Sequence, residues 1–278
     1  GFYEAPKIYE CVVTRPTQWG WDEENACLLD LSMPEGFDNT YYKQVQTYKD
    51  YGITVAGTAV TSQNRNNVLK DGKVKYVEAA NNYETPQLVL TNADIQGQIC
   101  FNKLNRPATL LLNDDNAIYY TNTTNGETDG GTNGAIVTYS NVDITSNNGH
   151  GKLNITAVNT NGFYLKSNAQ VTVWNCETDI RAGINGIAGT YWTSGYYGDE
   201  SFAVEGYHEE DENGTPIITN TKLHIVAGAG SRCYPVYGLN AFYMDGCEAI
   251  QPKGAYFEDW VEIPGYDEDE EMSRQNST

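Results

Sequence analysis

The feature that most constrains this chain is a corner that recurs. Asn133-Gly134-Ala135-Ile136, Asn161-Gly162-Phe163-Tyr164 and Asn185-Gly186-Ile187-Ala188 each pair Asn with Gly ahead of apolar residues, at intervals of 28 and 24 residues. Between them run short strands of alternating character: Gln87 to Leu90, Ile95 to Phe101, Thr109 to Leu112, Val142 to Ile144, Leu153 to Ile155, Val171 to Val173, Thr178 to Ile180 and Leu223 to Ile225. Asn and Gly clusters cut the chain roughly every 8 to 12 residues, the signature of a repetitive β architecture. One coil of a parallel β-helix holds three short strands and their turns, which fits the corner interval. Val142, Ile144, Leu153, Ile155, Val171, Val173 and Ile180 would then stack inside, each level covering the apolar face of the last. Glycine at the corners is expected to supply backbone angles closed to other residues. An antiparallel sandwich shares the strand spacing but gives no reason for corners at near-fixed intervals.

Composition agrees with an all-β chain. Asn is roughly one residue in ten against an ordinary soluble average, and there are 27 Gly and 21 Tyr, residues of turns and pleated surfaces. The formal net charge of -20, from 37 acids against 17 bases, repels a phosphate backbone, so nucleic acid is not an expected partner. Such a surplus attracts divalent cations, and equally keeps a secreted protein soluble. No run approaches the roughly 18 apolar residues of a membrane span, and Gly1-Phe2-Tyr3 does not begin a signal peptide, so the chain reads as a mature or trimmed product. In an oxidising compartment its six cysteines could form three disulfides. Short separations favour Cys11 with Cys27 and Cys233 with Cys247, although buried free cysteines are also common. No CxxC pair is present and the three histidines are scattered, which argues against zinc.

Three regions follow: a cap or subdomain over residues 1–86, a parallel β-helix over 87–260 with a long loop at 189–220, and an acidic tail over 261–278. Within the first, Thr40 to Tyr51 reads as a short helix, because Tyr41, Val45 and Tyr48 fall on one face. Sequons stand at Asn122, Asn154, Asn213 and Asn276.

The runs Gly134-Ala135-Ile136, Asn141-Val142-Asp143-Ile144 and Gly149-His150-Gly151-Lys152-Leu153-Asn154-Ile155, continuing through Asn161 to Lys166, Val171 to Val173 and Asn185 to Ile187, carry a resemblance. They are similar to the repeat of the secreted bacterial carbohydrate-binding parallel β-helix family, polysaccharide-binding proteins with a pectate-lyase-like fold. Asp94 to Ile99 and Leu110 to Asn113 resemble that family's first strands. The resemblance implies a right-handed parallel β-helix, bound calcium, and affinity for acidic polysaccharides of the pectin type. The family's corners carry Asp before Gly, whereas this chain has Asn133, Asn161 and Asn185, and an amide is the weaker calcium ligand.

The expected function is therefore an extracellular, secreted or cell-surface, polysaccharide-binding module. If Leu153, Thr178 and Leu223 share a face, then Asn154, Asp179 and His224 form an outward row with Arg181 beside it, able to follow a sugar chain; outward residues are also polar simply because water is there. In the long loop, Tyr191, Trp192, Tyr196 and Tyr197 offer flat rings to pyranose C–H faces, and nearby acids such as Asp199 and Glu200 would take hydroxyls; the alternative is a lid with buried aromatics. For calcium, Asp114, Asp115 and Asn116, and Glu127 with Asp129, put hard oxygens at short spacing without matching an EF-hand. Asp179 with Arg181 is the one pairing that hints at a lyase. A third class is structural: open coil ends could stack copies into a homo-oligomer, filament or adhesin.

Overall fold

A computed structural model describes residues 11–15, 19–22, 27–30, 46–102, 104–123, 133–190, 199–206, 220–230, 233–245, 256–257 and 261–262. Among them every regular element is a strand, and the strands are mostly parallel. From Gln87 onward the chain visits three sheets in turn. Sheet 1 holds Gln87–Thr91, Ala108–Asn113, Val142–Thr145, Gln170–Trp174, Ser201–Glu205 and Ala241–Asp245. Sheet 2 holds Asp94–Gln96, Asp115–Thr121, Lys152–Val158, Glu177–Ala182 and Lys222–Val226. Sheet 3 holds Ile99–Phe101, Gly134–Thr138, Asn161–Leu165, Ile187–Ala188 and Val236–Tyr237. Each strand pairs in parallel with the strand one circuit later, a β-helix-like arrangement that an antiparallel sandwich cannot give.

Register explains why the alternation is so regular. Ile95, Ile118, Ile155, Ile180 and Ile225 are successive partners on sheet 2. Leu88, Leu110, Ile144, Val173, Val204 and Met244 do the same on sheet 1, and Ile99, Ile136, Phe163, Ile187 and Val236 on sheet 3. The inward set expected from Val142 to Ile180 is buried throughout, at 2% exposure or less. A slip of one residue would turn a whole row outward, so the core fixes the register.

The corners carry a correction. Gly134, Gly162 and Gly186 are not among the residues with positive φ; left-handed backbone falls instead on Asn92, Asp114, Asn159 and Asn175. Corner glycines are needed for room: a Cβ on Gly162 would lie 2.3 Å from Ile180 Cγ2, and one on Gly186 would lie 2.0 Å from Ile225 Cγ2. The corner asparagines form a ladder inside the turn. Asn161 Nδ2 donates to the Asn133 carbonyl (2.8 Å), Asn161 Oδ1 accepts from Asn185 N (3.1 Å) and Nδ2 (3.0 Å), and Asn185 Oδ1 accepts from Tyr234 N (2.9 Å).

At the N-terminal end, Val74–Val77 pairs antiparallel with Gln87–Thr91, and Gln46–Val55 pairs antiparallel with Ile99–Phe101. Both cover edges that would otherwise stay open. Gln46–Val55 corrects the helix expected over Thr40 to Tyr51. Tyr51, Ile53 and Val55 are buried at 8%, 1% and 0% exposure, a period of two that overrides the weak helical spacing of Tyr48 with its predecessors. Tyr41 and Val45 lie outside the described residues.

Candidate functional site

The three sheets differ in what their outer faces offer. Sheet 3 is buried on both sides: Gly134–Thr138 and Asn161–Leu165 are buried at every position. Its outward Val137, Tyr164 and Ala188 form a second apolar cluster, with Lys166 Nζ 4.9 Å above the Tyr164 ring. On sheet 1 the outward Thr109, Leu111 and Thr145 of the earlier strands are also buried, while Trp174 and Tyr243 on later strands are exposed. Sheet 2 presents exposed side chains from its first strand to its last.

Three outward rows run up sheet 2. The first is Asp115, Lys152, Glu177 and Lys222; the second is Asp94, Ala117, Asn154, Asp179 and His224; the third is Gln96, Tyr119, Thr156, Arg181 and Val226. The expected row of Asn154, Asp179 and His224 is thus in register, one coil apart at about 4.8 Å per step. Within it, Asp179 accepts from Arg181 Nε through one oxygen (3.2 Å) and meets His224 Nδ1 through the other (2.7 Å). With Nδ1 engaged, Nε2 of the imidazole has no partner among the described residues, on a side chain 60% exposed. Arg181 is 65% exposed, and its terminal nitrogens meet no partner among the described residues. Asn154 is exposed, its amide only 3.5 Å from the Asn116 carbonyl. Donors and acceptors thus stand side by side on the outer face of sheet 2.

The first row escaped notice in the sequence, although Lys152, Glu177 and Lys222 each precede an inward residue already recognised. Glu177 lies 3.5 Å from Lys152 and 3.8 Å from Lys222. Tyr119, 46% exposed, adds an aromatic ring to the same face.

Other expected site residues fare differently. Tyr191, Trp192, Tyr196 and Tyr197, and Glu127 with Asp129, lie outside the described residues. Glu200 is not an open sugar ligand as expected: it has 0% exposure, accepts from Thr190 Oγ1 and from Asn168 N (3.4 Å), and its second oxygen has no partner among the described residues. Of the calcium trio, Asn116 turns its amide inward at 1% exposure. Its Oδ1 takes the Ala93 N–H (3.0 Å) and its Nδ2 faces the carbonyls of Asn113, Asp114 and Lys152. Asp114 is a left-handed corner residue accepting from Asn92 Nδ2 (3.1 Å), and Asp115 points outward in the charged row. These residues do not fit a calcium cage, and no three His, Cys, Asp or Glu converge among the described residues.

Cys233, expected in a bridge to Cys247, is instead a free thiol, 3.9 Å from the Gly183 carbonyl in a corner lined by Gly228 and Gly230. Cys247 lies outside the described residues, as do the side chains of Cys11 and Cys27. Cys100 and Cys176 are free, and burial pushes the Cys176 thiol up to about 12. No described helix is long and apolar enough to cross a membrane. Comparison with protein-family models, with curated proteins and with solved structures finds no match to this chain.

Proposed function

We propose that this chain is an extracellular module that binds an extended acidic polysaccharide along the outer face of sheet 2, on a coil wound as a right-handed parallel β-helix. The hand follows from chirality: crossovers between parallel strands of one sheet are right-handed in about 98% of cases. The observation that carries the ligand reading is the Asp179, Arg181 and His224 array, continued one coil earlier by Asn154. Exposed ion pairs contribute about 0–1 kcal/mol, so folding does not require this array. Its step along the coil is close to the length of one sugar residue in an extended chain. Arg181 gives the face a cation on a molecule of net charge -20, and a guanidinium pairs two-pronged with a carboxylate.

The test is immobilised polygalacturonate, with the Arg181→Ala, His224→Ala double variant beside the wild type. A loss of about tenfold or more in affinity, with the melting temperature unchanged, is expected; equal retention of both proteins would refute the reading. Replacing Trp192 and Tyr196 asks whether the long loop belongs to the same surface. The calcium-assisted form of the reading assigns the ion to Glu127 and Asp129, and repeating the measurement with chelator reads it out.

A second reading, self-association, is favoured by one observation. On the last described coil the inward Leu223, Ile225, Phe242 and Met244 are only partly buried. Because the opposite end of sheets 1 and 3 is covered by antiparallel strands, self-association would join like ends and stop at a dimer. Light scattering across a concentration series distinguishes this from a growing filament.

A further inference from the structure

We infer that the N-terminal cap holds a second binding site, for the carboxylate of an acidic sugar, in a cleft separate from the face of sheet 2. The pairing of Gln46–Val55 with Thr58–Thr61 slips between Asp50 and Thr54, around Gly52 at φ +70. Bulges of this kind bend a strand and re-aim its side chains. Here the bulge brings Gly52 against Leu104, where a Cβ would come to 2.8 Å from the leucine's Cδ2. The bulged strand and the segment 104–106 frame a cleft of about 450 Å³ lined by Lys49, Tyr51, Tyr76, Glu78, Leu104 and Arg106. That volume falls within the range of about 300–1,000 Å³ typical of small-molecule sites.

The lining suits a charged ring. Tyr51 and Tyr76 pack at 4.2 Å between centroids, each 8% exposed, and supply an aromatic wall. Glu78 is already neutralised: it accepts from Tyr51 Oη (2.6 Å), Lys49 Nζ (3.0 Å) and Arg65 Nη1. Those hydrogen bonds, Tyr51 first, hold its carboxyl below the usual range. Arg106 Nη1 donates to the carbonyls of Asn81 (3.2 Å) and Glu84 (3.3 Å), which fixes the guanidinium plane. Its Nε and second terminal nitrogen meet no acceptor among the described residues, a prepared fork for a planar anion. Lys49 and Arg106 line the cleft with Asp50 and Glu78, so its formal charges balance in a chain of net charge -20. Glu78 is taken up by Lys49 and Arg65, and Asp50 Oδ1 accepts from Gly52 N (2.8 Å), which leaves the Arg106 fork for an anion. Carboxylate recognition by the fork, with a sugar ring against the tyrosines, makes a uronate the ligand class.

This inference rests on the cleft and not on the sheet 2 reading, and the experiment separates them. Calorimetric titration of the full chain with digalacturonate is expected to show binding that Arg106→Gln weakens about tenfold or more, and that Lys49→Gln weakens less. Lys75→Gln, exposed on the cap but outside the cleft, leaves it unchanged, and a neutral disaccharide does not bind. Because Arg106→Gln also frees the turn at residues 81–84, amide shifts of the wild type are mapped as well: changes at residues 49–52 and 104–106 are expected. The inference is overturned by no digalacturonate binding, by equal binding of the neutral sugar, by shifts confined to other residues such as 179–181 on sheet 2, or by an equal loss in Lys75→Gln. Binding of inorganic phosphate at Arg106 without digalacturonate also overturns it, since the site would then be an anion site without a sugar.

Discussion

Replacing Asn161 tests whether the corners are an internal polar ladder or a row of cation sites, because the two give opposite signs. Asn161 has 0% exposure and makes three ladder hydrogen bonds, at 2.8, 3.0 and 3.1 Å. Asn161→Ala leaves the Asn133 carbonyl, the Asn185 N–H and the Asn185 amide without those partners inside the turn. At about 1–3 kcal/mol for each buried group left unsatisfied, and with some relaxation, the cost is about 3–6 kcal/mol. Whole domains are stable by only about 5–15 kcal/mol, so this variant should be close to unfolding. Asn161→Asp keeps both acceptor contacts with Asn185 but turns an oxygen toward the Asn133 carbonyl and buries a charge, at a comparable cost. The exposed Asn154→Ala control should stay within about 0.5 kcal/mol. Urea unfolding followed by circular dichroism measures all three. If calcium raised the stability of Asn161→Asp above that of the wild type, the corner would be a cation site; if Asn161→Ala cost less than about 1 kcal/mol, the ladder would not be holding the turn.

Three further outcomes follow from particular atoms. Gly162→Ala should cost about 1–3 kcal/mol or more, because its Cβ would sit 2.3 Å from Ile180 Cγ2 and 2.5 Å from the Gly186 carbonyl. Gly57→Ala has open space and only the strain of φ +76, so about 1–2 kcal/mol; equal costs in urea would show that crowding is not what selects glycine at the corner. Protein prepared without reductant should titrate Cys100, Cys176 and Cys233 as free thiols once denatured, with Cys176 unreactive before denaturation, since its thiol is buried and pushed up to about 12; a mapped disulfide at Cys233 would contradict this. Burial, then the bond to Glu78, raises Tyr51 from 10.0 to about 12. The raised folded value means that its stabilisation is complete below pH 10 and lost as pH climbs toward about 12. Tyr51→Phe should therefore flatten the decline of melting temperature across that window, and an unchanged slope would refute the coupling.

What the sequence revealed was what a coil must repeat. Val142, Ile144, Leu153, Ile155, Val171, Val173 and Ile180 were legible as the core because each has to cover the residue one circuit below. That constraint also placed Asn154, Asp179 and His224 in one row, as neighbours of residues already in register. The corners were legible in position but not in cause. Asn-Gly reads locally as a left-handed turn, whereas here the amide bonds to the next coil and the glycine makes way for it, both non-local effects. Gln46–Val55 was misread because its burial is set by pairing with Ile99–Phe101, some fifty residues on. Tyr164 points outward on its strand and yet is 1% exposed, which no local pattern announces.

The rows on sheet 2 differ in what folding asks of them. In a parallel stack each outward residue sits about 4.8 Å from its equivalent on the next coil, so like charges in one row repel directly. A chain with 37 acids and 17 bases is exposed to that penalty. The order Asp115, Lys152, Glu177, Lys222 alternates in sign along the stack, and so register alone accounts for the first row. The same logic does not account for the second and third. There Asp179 has Asn154 below it and His224 above it, and Arg181 stands between Thr156 and Val226, so Arg181 has no like charge above or below it to separate. Lys222→Ala should consequently act on packing, through a small loss of stability, while His224→Ala and Arg181→Ala should act on ligand retention at constant stability. The reverse assignment, with binding lost in Lys222→Ala alone, would move the recognition surface to the first row.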